Sequence, residues 1–492
     1  MVLYLSGHDF AYELENVARM FMRDVRVEKR APKKADRTGD WAQLRRARTG
    51  GEYMLLCSVR CGVFSAAKTQ KLPVSAGDAE CELALAQMLY DLLCSLTSTS
   101  PPWGVMTGIR PAKFVGAMLR QGMRDTDILW RLETRCRVSA DKAALCLETA
   151  KTSEAVAALN TPRSFSLYAA IPFCPTRCAY CSFVSKSVER DKSLIAPYVD
   201  ALCGELALVG GEAARLGLRL ESVYIGGGTP TTLSAPQLEQ LTRAIADSFD
   251  LSAAREYSVE AGRPDTIDAD KLDVLRRAGV TRLSINPQTA NDEVLRALGR
   301  RHTAADIERS FRLAREAGFD NINADLIAGL PGDTLESFAH TLSWLRTLGP
   351  ENVTVHALTL KRASRLNEDG TAASPDAAAM VDLAGRELPA WGLRPYYMYK
   401  QKGTVDNLEN TGYALPGKEC LYNVYIMDEL HTILACGAGA VTKLVDQRGG
   451  LIRRIFNYKY PAEYLAGCEE IRRRKGGIRE FYESNIQTES TL

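Results

Sequence analysis

The sequence predicts an α/β protein, in which a partial (β/α)6 barrel is preceded by an α+β domain and followed by a C-terminal cap. From about residue 166, six short strand-like runs recur and amphipathic segments separate them. Upstream of residue 160 and downstream of residue 390 this alternation is absent. Alternating β and α segments are typical of parallel strands joined by crossover helices, which close toward a barrel.

The predicted N-terminal domain spans residues 1–160, and its role is unknown. Its expected elements are a strand at 2–6, an amphipathic segment at 10–23, a hairpin-like stretch at 52–68, and helices near 79–97 and 127–153. A basic run at 23–37 is better explained as a solvated loop than as a binding patch.

The predicted barrel spans residues 161–390. Its six strands are expected at 166–173, 222–228, 256–261, 281–286, 321–331 and 352–360. Between them, segments such as 197–217 and 304–318 carry apolar residues at helical spacing and end in Gly. Residues 391–492 contain a Tyr- and Lys-rich stretch, an apolar run and a basic tail, and we expect a cap or substrate region there.

Composition and charge are those of an ordinary globular chain. The 62 Lys and Arg residues nearly balance 60 Asp and Glu, which gives no reason to expect a nucleic-acid partner. The most apolar stretch, 83–96, is short and interrupted by Gln87 and Asp91, so neither a signal peptide nor a membrane span is predicted. The thirteen cysteines are mostly isolated in apolar runs, which is typical of reduced thiols and predicts a cytoplasmic location. The oligomeric state stays unknown.

Three cysteines, Cys174, Cys178 and Cys181, lie within eight positions directly after the first barrel strand. Structural zinc usually takes four ligands in two close pairs, whereas no His or fourth Cys lies nearby in the sequence. Three thiolates fit a four-iron cluster that leaves one iron open to another ligand. A chance grouping is the weaker alternative, because the cysteines follow a strand end.

Other polar candidates also follow the predicted strands. The segment GGGTP at 226–230 ends the second strand, and its glycines would let the backbone approach a ligand and present N–H and C=O groups to it. Glu260 closes the third strand, while Gln288, Arg300 and Asp325 lie at or after the next two. Parallel barrels build their sites on this face, although each residue taken singly would more often be a cap or a surface residue.

The cysteine spacing, with LY before it and IPF within it, resembles the radical S-adenosylmethionine (SAM) superfamily, specifically its oxygen-independent coproporphyrinogen III oxidase family. The likeness runs from about 166 to 360, and the whole layout is most similar to the HemZ branch. The resemblance implies a radical SAM barrel, a [4Fe-4S] cluster on the three cysteines, and SAM, which one electron cleaves to methionine and a 5′-deoxyadenosyl radical. The SAM-binding residues that it implies are Tyr168, Tyr180, Gly227, Gly228, Thr229, Glu260, Gln288, Arg300 and Asp325.

The implied reaction is the oxidative decarboxylation of two propionates of coproporphyrinogen III, which yields protoporphyrinogen IX in anaerobic heme biosynthesis. The one-electron donor and acceptor proteins are unknown. A pocket for this tetracarboxylate needs cations and apolar walls. The candidate substrate-binding cations are Lys361, Arg362, Arg365, Lys400 and Lys402, with Tyr396, Tyr397 and Tyr399 beside them. His356 is expected to be a core or loop residue rather than a base.

Two positions depart from the best-studied branch of the family. Ala170 stands where that branch has the His of LYVHIPFC, and Phe183 stands where a fourth Cys follows. Related heme chaperones carry an aromatic residue at the second position, so a heme-trafficking chaperone is an alternative function. A radical SAM methylase or other tailoring enzyme is another. The N-terminal 160 residues are unlike the compact chaperones.

Overall fold

The computed structural model describes residues 1–22, 24–36, 38–182, 186–361, 364–401, 403–446 and 450–489. The chain divides into two compact units. The N-terminal unit comprises Met1–Leu147, Lys400–Lys402 and Asp406–Leu408; the barrel unit comprises Glu148–Tyr399, Gly403–Val405 and Glu409–Leu492. The domain boundaries expected at residues 160 and 390 stay predictions.

The N-terminal unit is built on a five-stranded sheet with the strand order β2-β1-β3-β4-β5. Its strands are β1 (Val2–Ser6), β2 (Arg26–Glu28), β3 (Trp41–Thr49), β4 (Glu52–Cys61) and β5 (Phe64–Pro73). Its helices are α1 (Ala11–Arg19), α2 (Gly77–Thr97), α3 (Pro111–Arg120), α4 (Asp125–Trp130) and the first part of α5 (Ala140–Ala157). Strand β1 pairs in parallel with β2 and β3, and β3, β4 and β5 form an antiparallel meander.

The core of this unit is formed by the inward-facing side chains of its strands and helices, which recur at every second residue of a strand and at about every third or fourth residue of a helix. On β4, alternate residues Leu55, Cys57 and Val59 are fully buried, and they form one cluster with Leu14 and Leu89 of the helices. The strand at 2–6, the helix within 10–23 and the hairpin are confirmed. The helix expected near 127–153 is interrupted, because the chain turns at Arg137, whose φ is +59°.

The barrel unit contains an eleven-stranded sheet, and its centre consists of the six parallel strands that the sequence predicts. These strands are β6 (Ser164–Ile171), β9 (Arg219–Gly227), β10 (Glu256–Glu260), β11 (Arg282–Ser284), β12 (Ile322–Ala328) and β13 (Asn352–Ala357), adjacent in that order. Along the chain, two short strands lie between β6 and β9: β7 (Phe173–Cys174) and β8 (Lys186–Ser187). They pair in parallel with each other as a separate two-stranded sheet. Because all six central strands are parallel, their C-terminal ends meet at one edge of the sheet.

Residues 391–492, expected as a cap, extend both edges of this same sheet. The added strands are β14 (Arg394–Lys400), β15 (Glu409–Ala414), β16 (Thr432–Cys436), β17 (Val441–Val445) and β18 (Ile452–Phe456). Strand β15 pairs antiparallel with β13, whereas β16 pairs in parallel with β6 and continues into the antiparallel pair β17 and β18. Both outer strands of the six-stranded array therefore find a hydrogen-bonding partner in the C-terminal region.

Helices connect and cover the strands of the barrel unit. They are α6 (Val188–Asp191), α7 (Ile195–Arg215), α8 (Ala235–Ser248), α9 (Ala269–Arg277), α10 (Asp292–Ala297), α11 (Ala304–Glu316), α12 (Leu335–Leu348), α13 (Arg365–Glu368), α14 (Ala377–Ala390), α15 (Leu421–Asp428), α16 (Pro461–Ala466) and α17 (Cys468–Glu489). Their ends follow the sequence: Thr303 and Asp306 form a capping box at α11, and Gly349 ends α12 in the left-handed conformation.

One segment of the described chain, 188–215, is long and apolar enough to cross a membrane by length and composition alone. About half of it faces inward, since 44% of its most apolar window is buried. Tyr198, Leu202 and Leu206 are among the buried side chains. A core helix of a globular protein passes the same test, and the absence of a membrane span stays a prediction.

Candidate functional site

The cysteine loop, which we define as residues 172–182, begins where β6 ends at the C-terminal edge of the sheet. Cys178 is buried, while Cys174 and Cys181 are partly exposed, and none of the three is joined in a disulfide. The loop is fixed by hydrogen bonds from the Ala179 N–H to the Leu298 carbonyl (3.0 Å) and from the Thr176 hydroxyl to the Gly299 carbonyl (3.0 Å). Phe183 lies outside the described residues, as do Arg362 and Lys402.

No three His, Cys, Asp or Glu side chains of the described chain converge as ligands of a single metal ion. A four-iron cluster requires a different arrangement of ligands, because each thiolate binds a different iron and the sulfurs need not meet at one point. Three thiols on one short loop, one of them flanked by cations, fit this arrangement.

Two arginines flank the sulfur of Cys178. The Nη1 atoms of Arg300 and Arg263 each lie 3.9 Å from Cys178 Sγ. Arg300 also donates to the Tyr180 hydroxyl (2.8 Å) and to the carbonyls of Gly262 (3.0 Å) and Asn286 (2.8 Å). Arg300, which the resemblance implies as a SAM-binding residue, thus also holds the cysteine loop against two neighbouring strand ends.

The neighbouring titratable groups suit this cationic environment. Burial and the charges of Arg300 and Arg263 lower the pKa of His302 to about 3, so its imidazole is neutral. The neutral Nε2 can accept the bond from Arg300 Nε, at 3.4 Å. Burial raises the pKa of Tyr180, which therefore stays protonated beside Arg300.

The glycine-rich segment packs directly on the start of the cysteine loop. A Cβ atom at Gly228 would stand 2.6 Å from the Phe173 carbonyl oxygen and 2.8 Å from that of Ile171, and Gly227 has a φ of +110°. A side chain at Gly228 would displace backbone, and the positive φ of Gly227 is one that other residues rarely adopt. The Thr229 hydroxyl lies 3.5 Å from Cys174 Sγ, which ties this segment to the first cysteine.

The backbone N–H groups of this segment are occupied within the protein. Gly227 N–H donates to Glu260 Oε2 (3.1 Å), Gly228 N–H to the Ile171 carbonyl (2.8 Å) and Thr229 N–H to the Phe173 carbonyl (2.7 Å). The expectation that these N–H groups are exposed to a ligand is therefore wrong, whereas the same expectation for the C=O groups stays a prediction. The segment acts instead as a brace between β6, β10 and the cysteine loop.

Glu260 ends β10 beneath a group of stacked tyrosines. Its Oε1 accepts a hydrogen bond from the Tyr224 hydroxyl at 2.7 Å. Burial and the nearby charge of Asp325 raise the pKa of Glu260 to about 7, against the opposing effect of the bonds from Tyr224 and Gly227. Tyr224 stacks on Tyr422 of α15, with ring centroids 4.5 Å apart, and both stack on Tyr168 at 6.1 and 6.0 Å.

Asp325 lies on β12 at the start of a series of polar contacts. Its Oδ1 accepts from Asn323 Nδ2 (2.7 Å), and its Oδ2 lies 3.7 Å from His356 Nε2 on the next strand. His356 Nδ1 in turn lies 3.3 Å from the Tyr399 hydroxyl on β14. Burial alone would raise the pKa of Asp325, but the bond and charge of His356, followed by the Asn323 amide, hold it below its usual value. Asp325 is therefore ionised at neutral pH.

Gln288 combines an unusual backbone with an unpaired side-chain atom. Its φ is +71°, a region that costs a residue other than glycine conformational energy. Its N–H donates to the Asp325 carbonyl (2.9 Å) and its carbonyl accepts from Ile327 (3.0 Å), which fixes that conformation. Its Oε1 is buried and finds no hydrogen-bond partner among the described residues. Such an orphaned acceptor fits a ligand that brings its own donor.

Comparison with known proteins agrees with this geometry. The family model of the radical SAM superfamily matches residues 168–345. HemZ of Bacillus subtilis, an oxygen-independent coproporphyrinogen-III oxidase-like protein, is 36% identical over 387 residues, which are 77% of this chain and 77% of HemZ. The chain is a radical SAM protein of the HemN-like family.

Two further relatives of this HemN-like protein are named for two different functions. The heme chaperone HemW of Bacillus subtilis is 34% identical over 287 residues, covering 56% of this chain and 70% of HemW. The solved structure of the Escherichia coli coproporphyrinogen III oxidase HemN, described as a radical SAM enzyme, superposes with a TM-score of 0.51 at 27% identity, over 65% of this chain and 72% of HemN. The predicted fold class is thereby confirmed.

Membership of the radical SAM family implies a [4Fe-4S] cluster and SAM, and the donor set of this HemN-like chain fits them. The three thiols, the flanking cations and the orphaned Gln288 acceptor follow the C-terminal ends of the parallel strands, whereas Asp325, expected near a strand end, lies in the middle of β12. Sequence reasoning missed Arg263, Tyr224, Tyr422 and the contact of His356 with Asp325. The usable signals were the arginine shortly after Glu260 and the tyrosine preceding the glycine-rich segment.

The predicted substrate cations have different surroundings. Arg365 is exposed at the start of α13, and its Nη2 donates to the Arg177 carbonyl of the cysteine loop at 3.0 Å. Lys361 is partly exposed, and its carbonyl accepts from the Ser364 N–H at 2.9 Å, next to the start of α13. Lys400 is buried in the N-terminal unit: its Nζ donates to the Met106 carbonyl at 3.0 Å and lies 5.3 Å from the Trp103 ring centroid.

Proposed function

We propose that this protein is a radical SAM enzyme that converts coproporphyrinogen III to protoporphyrinogen IX in anaerobic heme biosynthesis. The observation that supports the proposal is the contact of Arg300 with Cys178 and Tyr180 of the cysteine loop, which follows the first of the six parallel strands. The kinship with HemZ and HemN supports the same substrate class.

Cys174, Cys178 and Cys181 would hold the [4Fe-4S] cluster. When bound, the cluster and SAM supply a one-electron cleavage of the sulfonium and hence a hydrogen-atom acceptor strong enough for an unactivated C–H bond. The chain keeps Cys178 next to two guanidinium groups, whose N–H donors can bond to a cluster-ligating sulfur. Arg300 and the glycine-rich segment hold the loop in place.

The same edge of the sheet would hold SAM. Asp325 is ionised and can accept hydrogen bonds from an ammonium group, and Glu260 and Gln288 offer acceptors for hydroxyl or amino donors. Arg300 could receive a carboxylate by exchanging its bond to Tyr180. Tyr168, Gly227, Gly228 and Thr229 would shape the wall of the pocket.

Substrate binding would depend on cations beside the cysteine loop. Each reacting propionate would lose a hydrogen atom to the cofactor, CO2, and one electron to a one-electron acceptor protein, leaving a vinyl group. Lys361 and Arg365 are the described candidates that could hold its carboxylates by charge-assisted hydrogen bonds. Tyr396 and Tyr397 are buried in an aromatic core cluster, so they form packing rather than an open pocket wall.

A heme-trafficking chaperone is the second candidate, supported by the similarity to HemW. Ala170, which replaces the family's His, is buried, and its carbonyl accepts from the Tyr198 hydroxyl at 2.6 Å. A Cβ atom added at Gly437 would stand 3.2 Å from Ala170 Cβ, so neighbouring strands leave little room for a larger residue. Any turnover must therefore proceed without an imidazole at this position.

The cluster is tested by replacement of its ligands. Each single Cys→Ala variant at positions 174, 178 and 181 should lose visible cluster absorption and SAM cleavage after anaerobic reconstitution. The Cys203→Ala variant is a matched control, because that thiol lies on α7 outside the loop. A triple variant that still binds about four irons per chain would contradict the assignment.

Anaerobic incubation of the loaded protein with coproporphyrinogen III, SAM and a reductant separates the candidate functions. Release of CO2 with formation of vinyl product supports the oxidase. Stoichiometric heme binding without product supports the chaperone. Methylated or otherwise altered product would indicate a tailoring enzyme.

A further inference from the structure

Arg263 is a buried arginine that sequence reasoning did not assign. It follows β10, only 3% of its surface is exposed, and Asp265 binds it by two bonds of 3.0 Å, from Nε and Nη2. Its remaining nitrogen, Nη1, points to the cysteine loop, 3.1 Å from the Thr176 hydroxyl and 3.9 Å from Cys178 Sγ.

The two arginines beside Cys178 are bound differently. Arg300 bonds to Tyr180 and to the carbonyls of Gly262 and Asn286, on the side where SAM would bind. Arg263 is occupied by Asp265 on one side and by the cysteine loop on the other. Because Asp265 takes Nε and Nη2, it fixes the direction of Nη1 and leaves that N–H pair for the loop.

A buried cation next to a ligating sulfur has a defined effect on a cluster. One-electron reduction makes the cluster more negative, so a nearby positive charge and N–H donors stabilise the reduced form and raise the midpoint potential. The effect is larger in a buried site, where charges are poorly screened. Arg263 satisfies both conditions, since its charge is buried and its Nη1 is directed at Cys178.

We infer that Arg263 is a positioning residue that raises the reduction potential of the cluster bound at Cys178, so that an external one-electron donor can reduce it. The inference rests on the proposed cluster and deepens that proposal. In this inference Arg263 affects reduction of the cluster, whereas Arg300 is the residue proposed to receive the SAM carboxylate.

The test is a dithionite titration of the reconstituted protein with redox mediators, with iron per chain measured alongside. The Arg263→Gln variant should keep its iron and show a midpoint potential more negative than wild type. Arg263→Lys, which keeps the charge, should lie closer to wild type. Arg301→Gln is the matched control: Arg301 is exposed and paired with Glu189 at 2.7 Å, so its loss should leave the potential unchanged.

An unchanged potential in a fully loaded Arg263→Gln variant would overturn the inference, as would an equal shift in Arg301→Gln. If Arg263→Gln binds no iron, the Arg263→Lys variant tests the inference instead. Wild-type iron content in Arg263→Lys supports a role for the positive charge at this position. Loss of iron in Arg263→Lys, with an intact unfolding transition, would show that only the hydrogen bonds to the loop matter and would overturn the inference. Failure of the proposed cluster is distinguishable, because the wild-type chain itself would then take up no iron. Failure of the oxidase reaction alone is distinguishable too, because it appears in the incubation with coproporphyrinogen III and leaves the shift in potential unaffected.

Discussion

Asp325 and His356 face each other across neighbouring parallel strands, with Oδ2 and Nε2 3.7 Å apart. The imidazole counters the effect of burial on this carboxylate and keeps its pKa below the usual value. His356, expected from sequence to be a passive core or loop residue, therefore sets the charge of the residue proposed to receive the SAM amino group.

Replacement of His356 by Gln should weaken SAM binding. Loss of the partner lets burial dominate, so the pKa of Asp325 rises and its protonated fraction grows as the pH falls. We expect Kd to increase roughly tenfold, from the loss of about 1.5 kcal/mol, and to increase further between pH 8 and pH 5. Calorimetric titration of the reconstituted protein at both pH values measures this. Equal Kd values for variant and wild type at each pH would contradict the role of His356.

Glu260 should make stability depend on pH. Its pKa is raised from 4.5 to about 7, so the folded state binds more protons than the unfolded state between these values and stability falls as the pH rises through that window. In the absence of SAM, the free energy of unfolding of Glu260→Gln relative to wild type should increase from pH 5 to pH 8, by up to about 3 kcal/mol. Denaturant unfolding at the two pH values tests this. A pH-independent difference would show that Glu260 is already ionised.

The central strands and the cysteine loop could be predicted because their signals are local. Apolar periodicity, strand-ending glycines and cysteine spacing are all properties of short stretches, and parallel strands bring the ends of such stretches together. The strand β3 was missed because its WAQLRRART sequence buries only Trp41, Ala42 and Leu44 and otherwise reads as a basic segment.

Contacts between distant parts of the chain could not be predicted. Arg263 and Cys178 are 85 residues apart, and the stack of Tyr422 on Tyr224 joins the C-terminal region to the second barrel strand. Lys400 has the composition of a substrate contact, but its ammonium is buried beside Trp103. Burial of a charged side chain depends on the tertiary fold, which the local sequence does not carry.

Substitution at Gly228 should disrupt the cysteine loop. An alanine Cβ would meet two backbone carbonyl oxygens, at 2.6 and 2.8 Å, and these belong to the residues that lead into the loop. Gly228→Ala should lower the free energy of unfolding by about 1–3 kcal/mol and reduce iron uptake.

Gly211→Ala is the matched control. Gly211 lies exposed on α7, and a Cβ there meets nothing within 4 Å in the described part of the chain. Helix propensity predicts a gain of up to about 1 kcal/mol with unchanged iron uptake. Equal behaviour of the two alanine variants would show that the glycine-rich segment does not brace the loop.

Lys361 and Arg365 should separate substrate binding from cofactor cleavage. Truncation of either to Gln removes a charge-assisted contact to a propionate, which should lower coproporphyrinogen turnover about ten- to hundred-fold for a loss of 1.5–3 kcal/mol. Uncoupled SAM cleavage should persist, because the cysteines, Glu260 and Asp325 are unchanged. Arg365 also donates to the Arg177 carbonyl within the cysteine loop. Iron content is therefore measured in both.

Lys400→Met provides the contrast to these variants. Its ammonium donates to the Met106 carbonyl and lies over the Trp103 ring, so its loss should destabilise the N-terminal unit by about 1–2 kcal/mol without a change in KM for the porphyrinogen. Thermal unfolding and steady-state kinetics measure the two effects separately. A raised KM with unaltered stability would return Lys400 to the substrate pocket. Unchanged turnover in the Lys361 and Arg365 variants, singly and combined, would place the propionate contacts away from these two residues.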